Sequence, residues 1–293
     1  MLMQRFKEGD PRALARTITL LESGQDFPEE LLSLHHTAQV IGITGSPGSG
    51  KSTLTDQIIQ ELRSQGKTVA VIAVDPSSPF TGGAILGDRI RMARHTLDSG
   101  VFIRSLASRG ALGGVSGKTL QVLRAIEAFG FDVILIETVG VGQSEVDIAS
   151  IADHTVLVLT PNQGDAVQAF KAGVMEIADV FVVNKSDLPG ADRVVRELHA
   201  TLTLGGMLEW MPPAVKTSAQ KGQGIPELLK ALQDHREHLG AEGLRQRRLN
   251  RLRFELRVLL EDWAHDKLRD AENLLPEVLS GKRSLQSLFD SLF

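Results

Sequence analysis

The run Gly45-Ser46-Pro47-Gly48-Ser49-Gly50-Lys51-Ser52 fits the pattern G-x-x-x-x-G-K-[ST] and follows the apolar stretch Val40–Thr44. Placed between a strand and a helix, such a glycine turn aims successive backbone N–H groups at phosphate oxygens. The helix N-terminus adds the positive end of its dipole. In this pattern Lys51 reaches β- and γ-phosphates and the Ser52 hydroxyl is a ligand for Mg²⁺, with Thr53 the next hydroxyl. A helix starting at Lys51 would bury Leu54, Ile58 and Leu62 on one face. A chance glycine turn would lack that strand–loop–helix setting.

A phosphate turn does not choose the base. Asn184-Lys185-Ser186-Asp187 does, at the end of the apolar run Val180–Val183. In N-K-x-D the Asp187 carboxylate accepts hydrogen bonds from guanine N1–H and the N2 amine. Adenine offers no donors there, so the carboxylate would be desolvated and unpaired. Lys185 would lay its stem along the base, and Asn184 would tie neighbouring loops together. Ser218-Ala219, then Gly222-Gln223-Gly224, has the look of a second base loop, with the Ala219 N–H facing guanine O6. The alternative for Asp187 is a helix cap ahead of Leu188-Pro189. The expected ligands are GTP/GDP with Mg²⁺.

The run Val133–Ile136 ends in Glu137-Thr138-Val139-Gly140. Glu137 could hold Mg²⁺ through water and orient an attacking water, and the Gly140 N–H could meet the γ-phosphate. Val141-Gly142-Gln143-Ser144-Glu145 suits a loop that senses that phosphate. Asp75 and Asp88 are candidate metal-shell carboxylates; a turn residue and a helix cap are the respective alternatives.

These groups need a scaffold. Val40–Thr44, Val69–Val74, Val101–Ile103, Val133–Ile136, Thr155–Leu159, Val180–Val183 and Pro213–Val215 are short apolar runs alternating with helical stretches. Continuous apolar strands suit a mostly parallel sheet flanked by helices, an α/β phosphate-loop nucleoside-triphosphatase fold. The expected domains are an N-terminal helical extension over 1–39, a GTPase domain over 40–240, and a C-terminal helical region over 241–293. Asp10-Pro11 opens a capped helix that Gly24 ends. Leu249, Leu252, Leu256, Leu259 and Trp263 form one apolar seam, for packing onto the GTPase domain or for pairing with a second subunit.

The chain of 293 residues carries net charge −4, with 42% hydrophobic and 23% charged residues, and no cysteine. Disulfides, thiolate metal sites and a cysteine nucleophile are excluded. The charge does not suit blanketing nucleic acid or anionic membrane. No stretch approaches the ~20 apolar residues of a membrane span, and Met1–Glu8 lacks a secretory apolar core. A cytoplasmic protein is the simplest expectation.

Val74-Asp75-Pro76-Ser77-Ser78, the stretch Gly82-Gly83-Ala84-Ile85-Leu86-Gly87-Asp88-Arg89-Ile90-Arg91-Met92, and Glu137 through Glu145 together resemble the methylmalonyl-CoA mutase-associated GTPases, MeaB. Older naming for that family is ArgK, or a lysine/arginine/ornithine transport ATPase. The resemblance runs from about Val40 to Gly240. It implies an all-parallel sheet akin to signal-recognition and nickel-chaperone GTPases, and a homodimer with one GTP per subunit. It also implies an adenosylcobalamin-dependent acyl-CoA mutase as partner, whose cofactor loading and protection the nucleotide gates. Asp75, Asp88 and Glu137 fall on the family's magnesium and switch carboxylates. Lys171 falls on a third switch loop that reports to the mutase and supports hydrolysis. Arg89, Arg91 and Arg109 are candidates for an arginine finger, or surface charges.

Three other readings compete. A nickel-insertion GTPase needs Cys or His clusters, and among eight His only His35-His36 are adjacent. A nucleotide hydrolase or kinase of basic amino-acid transport would use ATP, against which Asn184–Asp187 argues. A nucleic-acid binder would use Arg245, Arg247, Arg248, Arg251, Arg253 and Arg257, which on a helix are usually solvated or paired.

Overall fold

The computed structural model describes residues 1–31, 34, 38–75, 93–95, 97–107, 116–138, 144–161, 174–204 and 209–292. Seven strands form one sheet: β1 (Gln39–Gly45), β2 (Val69–Asp75), β3 (Val101–Ala107), β4 (Val133–Thr138), β5 (His154–Leu159), β6 (Val180–Val183) and β7 (Ala214–Lys216). Their order is β3-β2-β4-β1-β5-β6-β7, and every pairing is parallel. All six residues of β4 and of β5 are buried, which is why both read as unbroken apolar runs rather than alternating ones. The strand order reverses beside β1, so its C-terminal end, where the glycine turn begins, lies at the topological switch point.

Described residues fall into two compact units, Met1–Arg251 and Leu252–Phe293. In the first, helix α1 (Leu2–Lys7) and helix α2 (Pro11–Glu22) precede the sheet. Asp10 caps α2 by accepting from the Arg12 N–H at 2.9 Å, with Pro11 at the first turn. Leu14, Ile18 and Leu21 are its buried face. α2 packs on α4 (Gly117–Phe129), Phe6 meets Phe129 edge-on at 5.3 Å, and Arg104 of β3 pairs with Glu22. Helix α3 (Lys51–Ser64) places Leu54, Ile58, Ile59 and Leu62 in the main core with the inner residues of β1, β2, β4, β5 and β6. Helix α5 (Ser144–Ile151) approaches so closely that a Cβ on Gly42 of β1 would stand 2.6 Å from Ile148. Helix α6 (Ala191–Leu204) covers a second core on β5 and β6 through Val194 and Leu198.

At the edge where the strands begin, carboxylates take up the free N–H groups. Asp153 accepts from Val40 N at 3.0 Å, Asp179 from Thr155 N at 2.8 Å, and Asp132 from Thr68 N at 2.7 Å. Helix α7 (Ile225–Ala271), broken at Gly240, answers these charges. Arg247 grips Asp179 with two bonds of 2.8 and 2.6 Å, Arg248 approaches Asp153 at 3.6 Å, and Arg251 pairs with Glu127 at 3.0 Å. Three arginines of the basic stretch are thus engaged by partly or wholly buried carboxylates, which removes them from a nucleic-acid surface.

Beside Asp179, two buried histidines meet Nδ1 to Nδ1 at 2.9 Å, His154 of β5 and His235 of α7. The His235 Nε2 faces Asp179 at 3.4 Å, which puts a proton on that nitrogen. His235 Nδ1 is then the acceptor and His154 Nδ1–H the donor. Burial first, then the neighbouring His235, pushes His154 down to about 3; Asp179 pulls the other way. His235 is lowered too, again chiefly by burial. Unfolding frees His154 to bind a proton below its ordinary value, so stability is unaffected at higher pH. It falls below about pH 6.5, by up to ~1.4 kcal/mol per pH unit for this one site. Urea unfolding at pH 7.5, 6.5, 5.5 and 4.5 should show that slope, and His154→Gln should flatten it. A wild-type stability that is level across this range would contradict the assignment.

The second unit holds the last turns of α7, a short helix α8 (Leu275–Leu279), and α9 (Leu285–Asp290), which Ser284 caps through Ser287 N at 3.0 Å. Of the expected seam, Leu252, Leu256, Leu259 and Trp263 are exposed, at 48%, 59%, 43% and 42%. Leu260 and Leu268 add to that apolar surface. Among the described residues no helix is long and apolar enough to cross a membrane.

Candidate functional site

β1 ends at Gly45 and α3 begins at Lys51, so the turn 45–50 joins strand to helix as its spacing requires. Gly50, at φ 93°, is the N-cap; a Cβ there would come within 2.4 Å of the Asn184 amide. Only glycine lets the phosphate turn and the base loop approach this closely. Lys51 is buried and its Nζ donates to the carbonyls of Gly45 at 2.6 Å and Ser46 at 3.1 Å. These bonds hold the ammonium across the mouth of the turn formed by Gly45, Ser46, Pro47, Gly48 and Ser49.

Ser52 donates from Oγ to Glu137 Oε1 at 2.6 Å, and Thr55 donates from Oγ1 to Oε2 at 3.0 Å. Glu137 is buried in β4, directly beside Ile43 of β1 in register. Hydroxyl plus carboxylate is a hard-oxygen pair, the donor type that Mg²⁺ selects, so these residues fit the ion that this fold implies. Thr55 was not among the expected site residues. The signal was its position three residues after Ser52, on the same face of α3.

The base loops are equally explicit. Asn184 is a strut: its Nδ2 donates to Ser49 O at 2.9 Å, and its Oδ1 accepts from Thr217 Oγ1 and Ala219 N, both at 3.1 Å. It therefore links the phosphate turn to the second base loop with one side chain. Lys185, the one non-glycine residue with positive φ among those described (57°), sends Nζ to Gly48 O at 2.8 Å. Ser218 Oγ donates to Asp187 Oδ1 at 2.8 Å, and Lys221 Nζ stands 3.4 Å from Oδ2. The Ser218 bond is the main reason the Asp187 carboxyl is held below its ordinary value, with Lys221 adding to it. A cavity of about 120 Å³ is lined by Gly50, Thr53, Asn184, Lys185, Asp187 and Ala219. Thr217 and Lys221 are the residues here that sequence reasoning missed; Thr217 directly precedes the Ser218-Ala219 pair and Lys221 follows it after Gln220.

Lys51, Ser52, Glu137, Asn184, Lys185, Asp187, Ser218 and Ala219 thus come together around one cleft. Asp75 ends β2, two strands from β1, and its side chain lies outside the described residues. Asp88, Gly140 and Lys171 also lie outside them, as do Arg89, Arg91 and Arg109. Among the described residues no group of three or more His, Asp or Glu could hold a metal ion.

Residues 14–273 match the family described as "Methylmalonyl Co-A mutase-associated GTPase MeaB". A Pyrococcus abyssi protein is 50% identical over 268 residues, covering 88% of this chain and 83% of its own length. The Escherichia coli protein named GTPase ArgK is 37% identical, covering 82% and 77%. The mouse methylmalonic aciduria type A homolog, mitochondrial, is 36% identical, covering 80% and 62%. A crystal structure described as a LAO/AO transport system kinase superposes with TM-score 0.72 at 29% identity, covering 99% and 95%. HypB from Helicobacter pylori in complex with nickel shares the fold, with TM-score 0.51 at 16% identity over 76% and 95%.

Proposed function

Because this chain belongs to the MeaB family of methylmalonyl-CoA mutase-associated GTPases, we propose that it is a nucleotide-gated chaperone of an adenosylcobalamin-dependent acyl-CoA mutase. GTP state would control cofactor loading and protect the mutase, methylmalonyl-CoA mutase being the partner that the family name indicates. The observation that carries the nucleotide reading is the shared wall of the cleft. Asn184 bonds to the phosphate turn and to Ala219, so triphosphate and guanine are gripped by one connected frame.

In that frame the turn N–H groups and Lys51 bind the phosphates, while Asp187 reads the base; the Ala219 N–H, expected to face guanine O6, is instead donated to Asn184 Oδ1 at 3.1 Å. Ser52 and Glu137 would hold Mg²⁺, with Asp75 and Asp88 completing its shell. Bound there, Mg²⁺ neutralises charge on the β- and γ-phosphates. Lys51 would meet the oxygen on which charge builds as the γ-phosphate departs, and Glu137 would orient water. Gly140 would contribute an N–H to the γ-phosphate, and Lys171 would report its loss to the mutase. The exposed seam of Leu252, Leu256, Leu259 and Trp263 supports a homodimer through the C-terminal helices.

With no arginine finger assigned among the described residues, turnover should be slow alone and rise when the mutase orders the switch loops. Steady-state GTP hydrolysis should increase at least about tenfold on adding the mutase, well inside the range of activator-driven GTPases. Equal and fast rates with and without it would sink the chaperone reading.

A further inference from the structure

Glu137 is fixed at both ends of its side chain. Its Cα lies in β4 in register with Ile43 of β1 on one side and Ala73 of β2 on the other, so two ladders hold the root. Its carboxylate accepts from two hydroxyls of α3, Ser52 on Oε1 at 2.6 Å and Thr55 on Oε2 at 3.0 Å. All three side chains are buried, and Thr55 is fully enclosed at 0% exposure. Asp56, the next residue of α3, is engaged elsewhere, by Arg94 and His95.

The two hydroxyls are not equivalent. Ser52 stands in the first turn of α3, directly after the phosphate turn. A hydroxyl has one proton and two lone pairs, so its oxygen can face Mg²⁺ while its proton stays on Glu137. Thr55 stands three residues deeper in the helix. A helical threonine can return its proton to a carbonyl of its own preceding turn. Thr55 donates across to the sheet instead.

We propose that Thr55 is a positioning residue for magnesium: by occupying Oε2 it fixes the plane of the Glu137 carboxylate and leaves Oε1, the oxygen on Ser52, to the ion's shell. This role rests on Ser52 and Glu137 being the magnesium residues. A glutamate loses much rotamer freedom when it is ordered around an ion. Here the ordering is complete in the folded protein, so little is left to lose on binding. The bond from Thr55 also satisfies the second oxygen of a buried carboxylate, which would otherwise be costly to enclose.

The test uses the full chain with GDP bound. Thr55→Val keeps the branched shape and removes the hydroxyl. Loss of a partner behind a metal-holding residue costs about 10–100-fold in metal affinity, and a neutral hydroxyl belongs at the low end. The Mg²⁺ affinity of the GDP complex, read by calorimetry, should therefore fall about tenfold, while GDP affinity in EDTA stays within about twofold. The Mg²⁺ concentration that gives half-maximal GTP hydrolysis should rise by the same factor. Thr55→Ser returns the hydroxyl and should restore most of the Mg²⁺ affinity. Should Thr55→Val fail to fold, Thr55→Cys keeps a weak donor of similar size and should weaken Mg²⁺ binding by a smaller factor.

A merely structural threonine would lower the melting temperature and leave the Mg²⁺ titration where it was, and that result would overturn the inference. So would an equal loss of GDP affinity in EDTA, which marks damage to the phosphate turn. Ser52→Ala separates the two layers. If it keeps the wild-type Mg²⁺ response, the proposed magnesium site falls and the role of Thr55 with it. If it loses that response while Thr55→Val retains it, the site stands and only the role of Thr55 falls.

Discussion

Lys51→Ala should cut GTP affinity by at least about 100-fold and leave no measurable turnover. A hydrogen bond to a charged group contributes about 1.5–3 kcal/mol, and a tenfold change in binding corresponds to about 1.4 kcal/mol. Lys51 is placed to make more than one such bond to the phosphates. Its Nζ is held by the Gly45 and Ser46 carbonyls, so the ammonium is already over the turn before any ligand arrives. Little conformational entropy is then lost on binding, and the full electrostatic gain is realised. Alanine removes the charge and both carbonyl contacts, yet the Asn184 amide still braces the turn at the Ser49 carbonyl. The variant should therefore fold, and a melting curve alongside the titration separates loss of binding from loss of structure. GTP binding within about threefold of wild type, by calorimetry, would remove the phosphate turn from the mechanism.

That turn was legible because its geometry is set by consecutive residues. Glycines at 45, 48 and 50 and the apolar run before them dictate strand, turn and helix with no help from distant parts of the chain. The seven apolar runs were legible for a related reason. A parallel sheet covered on both faces leaves no polar side to its strands, and the observed strand ends fall within a few residues of the expected ones, β7 starting at Ala214 rather than Pro213. Pairings across long separations were not legible. Arg247, Arg248 and Arg251 have the spacing of any solvated helical face; nothing local tells that Asp179 and Asp153 wait at strand starts and Glu127 near the end of α4. The His154–His235 pair is hidden in the same way, as are the clamp of Asp56 on Arg94 and the hold of Thr55 on Glu137. The seam from Leu252 to Trp263 shows the intermediate case. Its periodicity announces an apolar face, but what covers that face depends on partners that spacing alone does not name.

Asp187→Asn should invert base selectivity. The wild-type carboxylate offers two acceptors, and its Ser218 partner keeps it ionised well below neutral pH. Guanine answers with N1–H and its N2 amine, so GTP leaves no lone pair stranded. Asparagine keeps one acceptor, which can go on receiving the Ser218 hydroxyl, and turns the other oxygen into an N–H₂ donor. That donor now faces donors on guanine. Sites built to hydrogen-bond a ligand reject a mismatched analogue by factors of 10⁴ or more at the extreme, and a loss of at least about 100-fold in GTP affinity is expected here. Xanthine carries a carbonyl at C2 in place of the amine, which can accept from the new N–H₂. XTP should therefore bind the variant better than GTP does, while ATP stays weak for both proteins. Because Asn184 continues to bridge Ser49 and Ala219, the loops around the base stay in place, and the change reads out recognition rather than folding. Competition titrations with GTP, XTP and ATP measure it directly. A variant that still prefers GTP over XTP by the wild-type margin would mean that Asp187 is only a loop residue, and that guanine is chosen elsewhere in the cleft.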